Sequence, residues 1–223
     1  KFLSFLKDKS SYLSLILFAF LGLLLTQLTY LIAIAETNAG TATVLQYLCP
    51  VGILSYTCIK DRVAPTLAEV ASMLLAIGGT FLIATHGQLN QLAINPKGLA
   101  WGVVSAFAYA LYIVLPLNLI KKWGSMLVIG VGMVIPGILM IPFSGLLSFS
   151  GNYRLDTLMA LFGLVVIGTI FAYTAFLKGT SLVGAVKGSL LASIEPISAV
   201  FFAFIIMKEH FFMIDFLGMG LIL

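Results

Sequence analysis

The stretches LQYLCPVGIL (45–54) and LASIEPISAV (191–200) can be laid over one another, Pro50 on Pro196, at an offset of 146 residues (196 − 50 = 146). Carried outward without gaps, the offset sets Gly22 on Gly168, Ala39 on Ala185, Leu45 on Leu191, Ile59 on Ile205, Glu69 on Asp215 and Met73 on Met219. Self-similarity at a fixed spacing marks a fold built from two related halves.

The solvent of those halves follows from composition. The chain is 61% hydrophobic and 9% charged, with a mean hydropathy of +1.14. A soluble domain is nearly half apolar and about a quarter charged. A single domain of 223 residues has too much surface to hide that excess, so lipid is its solvent. The net charge of +4 does not point to nucleic acid, because the basic residues are scattered between apolar runs. Cys49 and Cys58 fall nine residues apart in one predicted helix and face nearly opposite ways, so they should not pair.

Apolar runs of bilayer-spanning length predict helices near 11–34, 39–59, 66–85, 98–118, 124–147, 157–177 and 182–207, with an eighth starting near Phe211. They are continuously apolar rather than alternating, which favours a helical bundle over a barrel. The connections are short and polar: KDRVAP (60–65), HGQLNQLAINPK (86–97), KKWG (121–124) and SGNYRLD (150–156). Lys1, Lys7, Lys9, Lys60, Arg62, Lys121, Lys122 and Lys178 fall on one side, and Lys97, Arg154 and Lys208 on the other. The richer side is cytoplasmic by the positive-inside rule.

Span 39–59 and its equivalent 182–207 are five spans apart, an odd number, so they cross in opposite directions. The expected fold is all-α: a polytopic transmembrane bundle of inverted five-helix repeats, with about eight of ten helices in this sequence. Residues 1–90 read as helices 3–5 of the first repeat. Residues 91–223 read as helices 6–10 of the second, the last one truncated. Two further helices are expected upstream of Lys1.

The segments TNAGTATVLQYLCPVGILSY (37–56), EVASMLLAIGGTFLIATHG (69–87), PKGLAWGVVSAFAYALYIVLPLNLIKKWGS (96–125) and LVGAVKGSLLASIEPISAVFFAFIIMKEHF (182–211) resemble EamA-type carriers of the drug/metabolite transporter superfamily. The resemblance implies ten helices in two inverted repeats with cytoplasmic termini. It also implies transport of small organic solutes, often export of amino acids or other metabolites. The expected function is a secondary membrane transporter for such a metabolite or drug-like solute, working by alternating access in a bacterial plasma membrane. A non-transporting scaffold or an intramembrane enzyme is the alternative. HExxH, GxSxG and Walker A patterns and a cysteine–histidine metal set are missing from the sequence, so an enzyme, a metal and a cofactor are not expected. The expected partners are the solute and the lipid bilayer.

Six residues are candidates for substrate binding. Glu195 is an acid in mid-span, where a charge costs roughly 3 kcal/mol and normally faces protein or water. It serves either as a partner for a proton or an amine, or as a structural acid beside a kink. Pro196 has no N–H for the carbonyl four residues upstream, Ala192. Gln46 and Tyr47 precede Pro50 near mid-membrane and line a cavity or bond to a neighbouring helix. Tyr109 shares a broad helix face with Trp101 and Tyr112, and Trp101 also suits an interface anchor. Tyr173 takes the repeat position of Gln27, within a polar patch of Thr26, Gln27 and Tyr30. Lys187 either binds a carboxylate or snorkels to the cytoplasmic interface. Pro50, Pro196, Gly98 and Gly102 are structural candidates. The small-xxx-small spacing of Gly98 and Gly102 allows close packing within the bundle or a homodimer.

Overall fold

The computed structural model describes residues 2–5, 7–37, 39–85, 95–143, 154–195, 197–198 and 213–222. Among them there is no strand. Pro196, the start of the eighth span near Phe211, His86 and Lys208 lie outside the described residues.

The helices are α1 (Phe2–Phe5), α2 (Tyr12–Leu17), α3 (Leu25–Glu36), α4 (Ala39–Gln46), α5 (Cys49–Asp61), α6 (Leu67–Thr85), α7 (Pro96–Val114), α8 (Leu117–Trp123), α9 (Ser125–Met140), α10 (Leu155–Gly163), α11 (Ala172–Val183), α12 (Ala185–Ala192) and α13 (Met213–Ile222). Four helical runs among the described residues are long and apolar enough to span a bilayer: Lys9–Glu36, Thr41–Asp61, Pro96–Trp123 and Leu155–Val183. Only 6% of the apolar window of Leu155–Val183 is buried, a surface suited to lipid. The protein is a polytopic helical membrane protein.

Two of these runs contain π-helical stretches, Phe18–Leu24 between α2 and α3 and Leu164–Phe171 between α10 and α11. They obey the sequence offset, since 18 + 146 = 164. π-helix is rare and is usually kept where it serves a purpose. A second break also repeats: the helix opens at Tyr47 and Leu48 between α4 and α5, and again at Ser193, the equivalent of Tyr47. The internal repeat is therefore written in backbone geometry as well as in residue type.

Two boundaries differ from the sequence expectation. The chain stays helical through KKW (121–123) and ends at Gly124, and it stays helical past 177 to end at Gly184. The glycines take φ of 90° and 94°, a region that side chains avoid. Lysines do not end a helix, because their stems run along apolar surface and carry the charge to water.

The chain forms two compact units, neither of them one half of the sequence. The first comprises Lys1–Leu24 and Leu111–Gly184. Its core gathers Phe18, Tyr112, Ile113, Val128 and Leu177. The Tyr112 ring stacks on Phe18 (6.2 Å between centroids) and Phe176 (6.3 Å), and meets Tyr173 edge-on at 5.6 Å. Its N-terminal segment is pinned by Phe5 against Trp123 (5.4 Å), by the Trp123 indole N–H donating to Ser11 Oγ (3.0 Å), and by an ion pair of Asp8 with Lys122.

The second unit comprises Leu25–Ala110 and Ala185–Leu223. Here α6 packs on its repeat equivalent α13, and α5 packs on α12, the equivalent of α4. A capping box starts α6: the Thr66 hydroxyl accepts from the Glu69 N–H (3.2 Å) and the Glu69 carboxylate accepts from the Thr66 N–H (2.9 Å). Asn95 starts α7 by accepting from the Gly98 N–H, and it donates to the Glu36 carbonyl at the end of α3 (3.0 Å). A side chain at Gly98 would strike Thr37, and one at Gly102 would fall 2.7 Å from Leu45 Cβ. The small-residue stripe is thus filled by the chain's own α3–α4 region. Cys49 is buried, Cys58 is half-buried, and both are free.

Candidate functional site

The site grows from the break between α4 and α5 in the second unit. Pro50 lies in the first turn of α5, where its missing N–H has no intrahelical acceptor to disappoint. The break turns Tyr47 inward, leaving it 5% exposed. Its hydroxyl reaches two acceptors, the Ala192 carbonyl at 3.1 Å and the Glu195 carboxylate at 2.9 Å. The Ala192 carbonyl would take the N–H of residue 196 in an unbroken helix, and proline has none to give. The tyrosine hydroxyl is the donor that replaces it. The remainder of Glu195 is exposed, so the carboxylate is held on one side and open on the other.

Gln46, one residue earlier, donates its amide to Ser105 Oγ of α7 at 2.9 Å. Tyr109, one turn further along α7, lies close enough to Tyr47 for their hydroxyls to interact electrostatically. Five of the six candidates lie in the second unit, and four of them, Gln46, Tyr47, Tyr109 and Glu195, gather at this break. An apolar recess of about 370 Å³ adjoins them, walled by Leu48, Cys49, Gly52, Val103, Ala106 and Phe107.

The other two candidates are Tyr173 and Lys187. Tyr173 belongs to the first unit, packed edge-on against Tyr112. Lys187 is exposed on α12, and its electrostatic neighbour is Glu69 in the first turn of α6. Of the polar patch, Tyr30 bonds to Thr43 at 2.8 Å.

A one-proton hydroxyl between a carbonyl and a carboxylate can serve both protonation states of the acid. With Glu195 charged, Tyr47 donates to it. With Glu195 protonated, the acid can donate to Tyr47 and Tyr47 to Ala192, with no heavy atom moved. Among the described residues no cluster of His, Cys, Asp and Glu is arranged to hold a metal.

Residues 2–85 and 96–223 of this polytopic bundle match a known family model. The chain belongs to the EamA-like transporter family. It is 37% identical over 223 residues, its whole length and 74% of the relative's, to the uncharacterized inner membrane transporter YicL of Salmonella typhimurium. It is 23% identical over 205 residues to the uncharacterized transporter YcbK of Bacillus subtilis, covering 88% of this chain and 65% of that one. An uncharacterized transporter of Archaeoglobus fulgidus is 26% identical over 201 residues, 89% of this chain and 70% of its own. The chain is a multi-pass membrane protein of a transporter family.

Sequence reasoning missed Ser105 as the partner of Gln46, since a serine on an apolar helix carries no signal by itself. It also missed the π-helical stretches. The Gly22 and Gly168 pair was their trace, each glycine lying inside one of them.

Proposed function

We propose that this EamA-like protein is a secondary transporter that exports a small organic metabolite, an amino acid or drug-like solute, by alternating access in a bacterial plasma membrane. The observation that carries the reading is the Tyr47–Glu195 hydrogen bond at a helix break that both repeats share. Glu195 is the coupling and amine-binding group, Tyr47 its switchable partner, and Gln46 and Tyr109 the neighbouring polar contacts. Tyr173 and Lys187 contribute at other stages of the cycle. The apolar recess suits an uncharged portion of the solute.

Packing supports halves of opposed direction. Gly79 of α6 lies against Gly218 and Ile222 of α13, which are repeat positions 72 and 76 (218 − 146 = 72; 222 − 146 = 76). A symmetric pair running the same way brings each residue near its own equivalent. An opposed pair brings together residues on either side of a midpoint, as here. Opposed repeats around a shared central site are the architecture of alternating access.

The deciding experiment is export from proteoliposomes containing the protein, loaded with a panel of amino acids and small cationic drugs, with and without a pH gradient. Gradient-dependent efflux of one class supports the reading. Silence across the panel with folded protein favours a scaffold.

A further inference from the structure

The Lys-rich end of the first unit carries an open cleft of about 1090 Å³ where α8, α9 and α11 meet. Its walls include Lys121, Trp123, Ser125, Thr174, Lys178 and Ser181, and no acid lines it. The neighbouring lysine is a built-in contrast. Lys122 is paired with Asp8 and lies over the Trp123 ring at 5.2 Å. Among the described residues, neither Lys121 nor Lys178 has a carboxylate partner, and both are exposed. Two ammonium groups with no carboxylate partner among the described residues thus share one cleft, with the Ser125 and Thr174 hydroxyls as further donors. Ser181 already donates to the Lys178 carbonyl at 2.7 Å and adds only an acceptor.

The geometry points to a phosphate-binding site in this cleft, with Lys121 and Lys178 as its charges. A phosphate needs several donors and a net positive surround, and it tolerates acids poorly. The cleft supplies the first two and lacks the third. At the charge-rich end of a membrane helix bundle, such a group arrives either on an anionic phospholipid or on a free phosphorylated solute. The site is independent of Glu195, so its fate does not decide the transport reading.

Trp123 reports on the cleft. The chain has two tryptophans, so Trp101→Phe leaves Trp123 alone. The full protein in phosphatidylcholine nanodiscs is titrated with short-chain phosphatidylglycerol and, separately, with inorganic phosphate. We expect a saturable change in Trp123 emission. Each lysine near an anionic group contributes about 1 kcal/mol, so Lys121→Ala with Lys178→Ala weakens binding about tenfold or more. Lys122→Ala, whose charge is already paired, changes it less than about twofold. The double arginine variant retains binding, which separates charge from folding. Saturation by phosphatidylglycerol alone assigns a lipid headgroup, and saturation by phosphate at similar strength assigns a free phosphorylated solute. No saturable change with either probe, or equal losses in Lys122→Ala and the double alanine variant, overturns the site.

Discussion

Tyr47 and Glu195 are 148 residues apart in sequence, yet the tyrosine hydroxyl meets the glutamate carboxylate at 2.9 Å. Tyr47 also lies beside its own repeat equivalent, Ser193, since its second acceptor is the carbonyl of Ala192. The pair therefore marks where the two related helix breaks face each other. One half supplies a phenol there and the other an acid, so the chemistry is asymmetric on a repeated frame.

That asymmetry separates two substitutions. Glu195→Gln keeps a hydrogen-bonding side chain of the same shape but cannot lose a proton. It should leave the protein folded and remove the pH-gradient dependence of efflux. Tyr47→Phe removes the hydroxyl and leaves the Ala192 carbonyl without its donor, at a cost of about 1 kcal/mol. It should lower thermal stability by a few degrees and shift the pH dependence without abolishing it. Gradient-driven efflux by Glu195→Gln at the wild-type rate would remove Glu195 from the coupling role.

Much of this was legible in sequence because membrane folds obey few rules. Run length and loop charge are local properties, and they fixed the helices and the expected orientation. Pro196 announced that Ala192 needed a new donor, and Gln46 and Tyr47 were legible as polar groups that must find partners. Which donor met which acceptor was not legible, because it depends on how α12 is turned against α5. Periodicity places a residue on a face of a helix and says nothing of what that face meets, so the Tyr112 contact of Tyr173 and the Glu69 neighbour of Lys187 were not legible. The helix ends at Gly124 and Gly184 were hidden by the lysines before them, which resemble a loop in composition while their stems suit a helix.

Close packing between α6 and α13 gives a stability prediction with its own control. A methyl group at Gly79 would fall 2.5 Å from the Gly218 carbonyl oxygen and 3.2 Å from the Ile222 nitrogen. Both are backbone atoms and cannot rotate away. Gly79→Ala should cost about 1–3 kcal/mol, read as a lower melting temperature in detergent. Gly137, within α9, has nothing within 4 Å of the same position, so Gly137→Ala should be neutral or gain up to about 1 kcal/mol of helix propensity. Equal effects at the two sites would contradict the packing.

The Asp8 clasp gives a pH prediction. The Lys122 ammonium, with the Ser10 and Ser11 hydroxyls, holds the Asp8 carboxyl well below the usual carboxylate range. A lowered folded value means that the stabilisation is complete above the unfolded value and is lost as pH falls toward the folded one. Asp8→Asn should therefore melt lower than wild type at neutral pH, with the gap narrowing below about pH 4. The gap should also shrink in high salt, because Lys122 is 53% exposed. A gap that is constant across pH would mean that Asp8 acts through its shape alone.

Opposed repeats make a claim about sidedness that labelling can test. Arg62 caps α5, and Arg154 precedes α10. From loop charge, Arg62 is expected in the cytoplasm and Arg154 outside. With Cys49 and Cys58 replaced by alanine, single cysteines at these positions should react oppositely with a membrane-impermeant maleimide in intact cells. Arg154→Cys should label before lysis and Arg62→Cys only after it. Equivalent helices are five spans apart, and that odd step is what inverts the repeat, so labelling of both positions from one side would remove one crossing between them. The equivalent helices would then run in the same direction, and the contact of Gly79 with repeat positions 72 and 76 would need another origin.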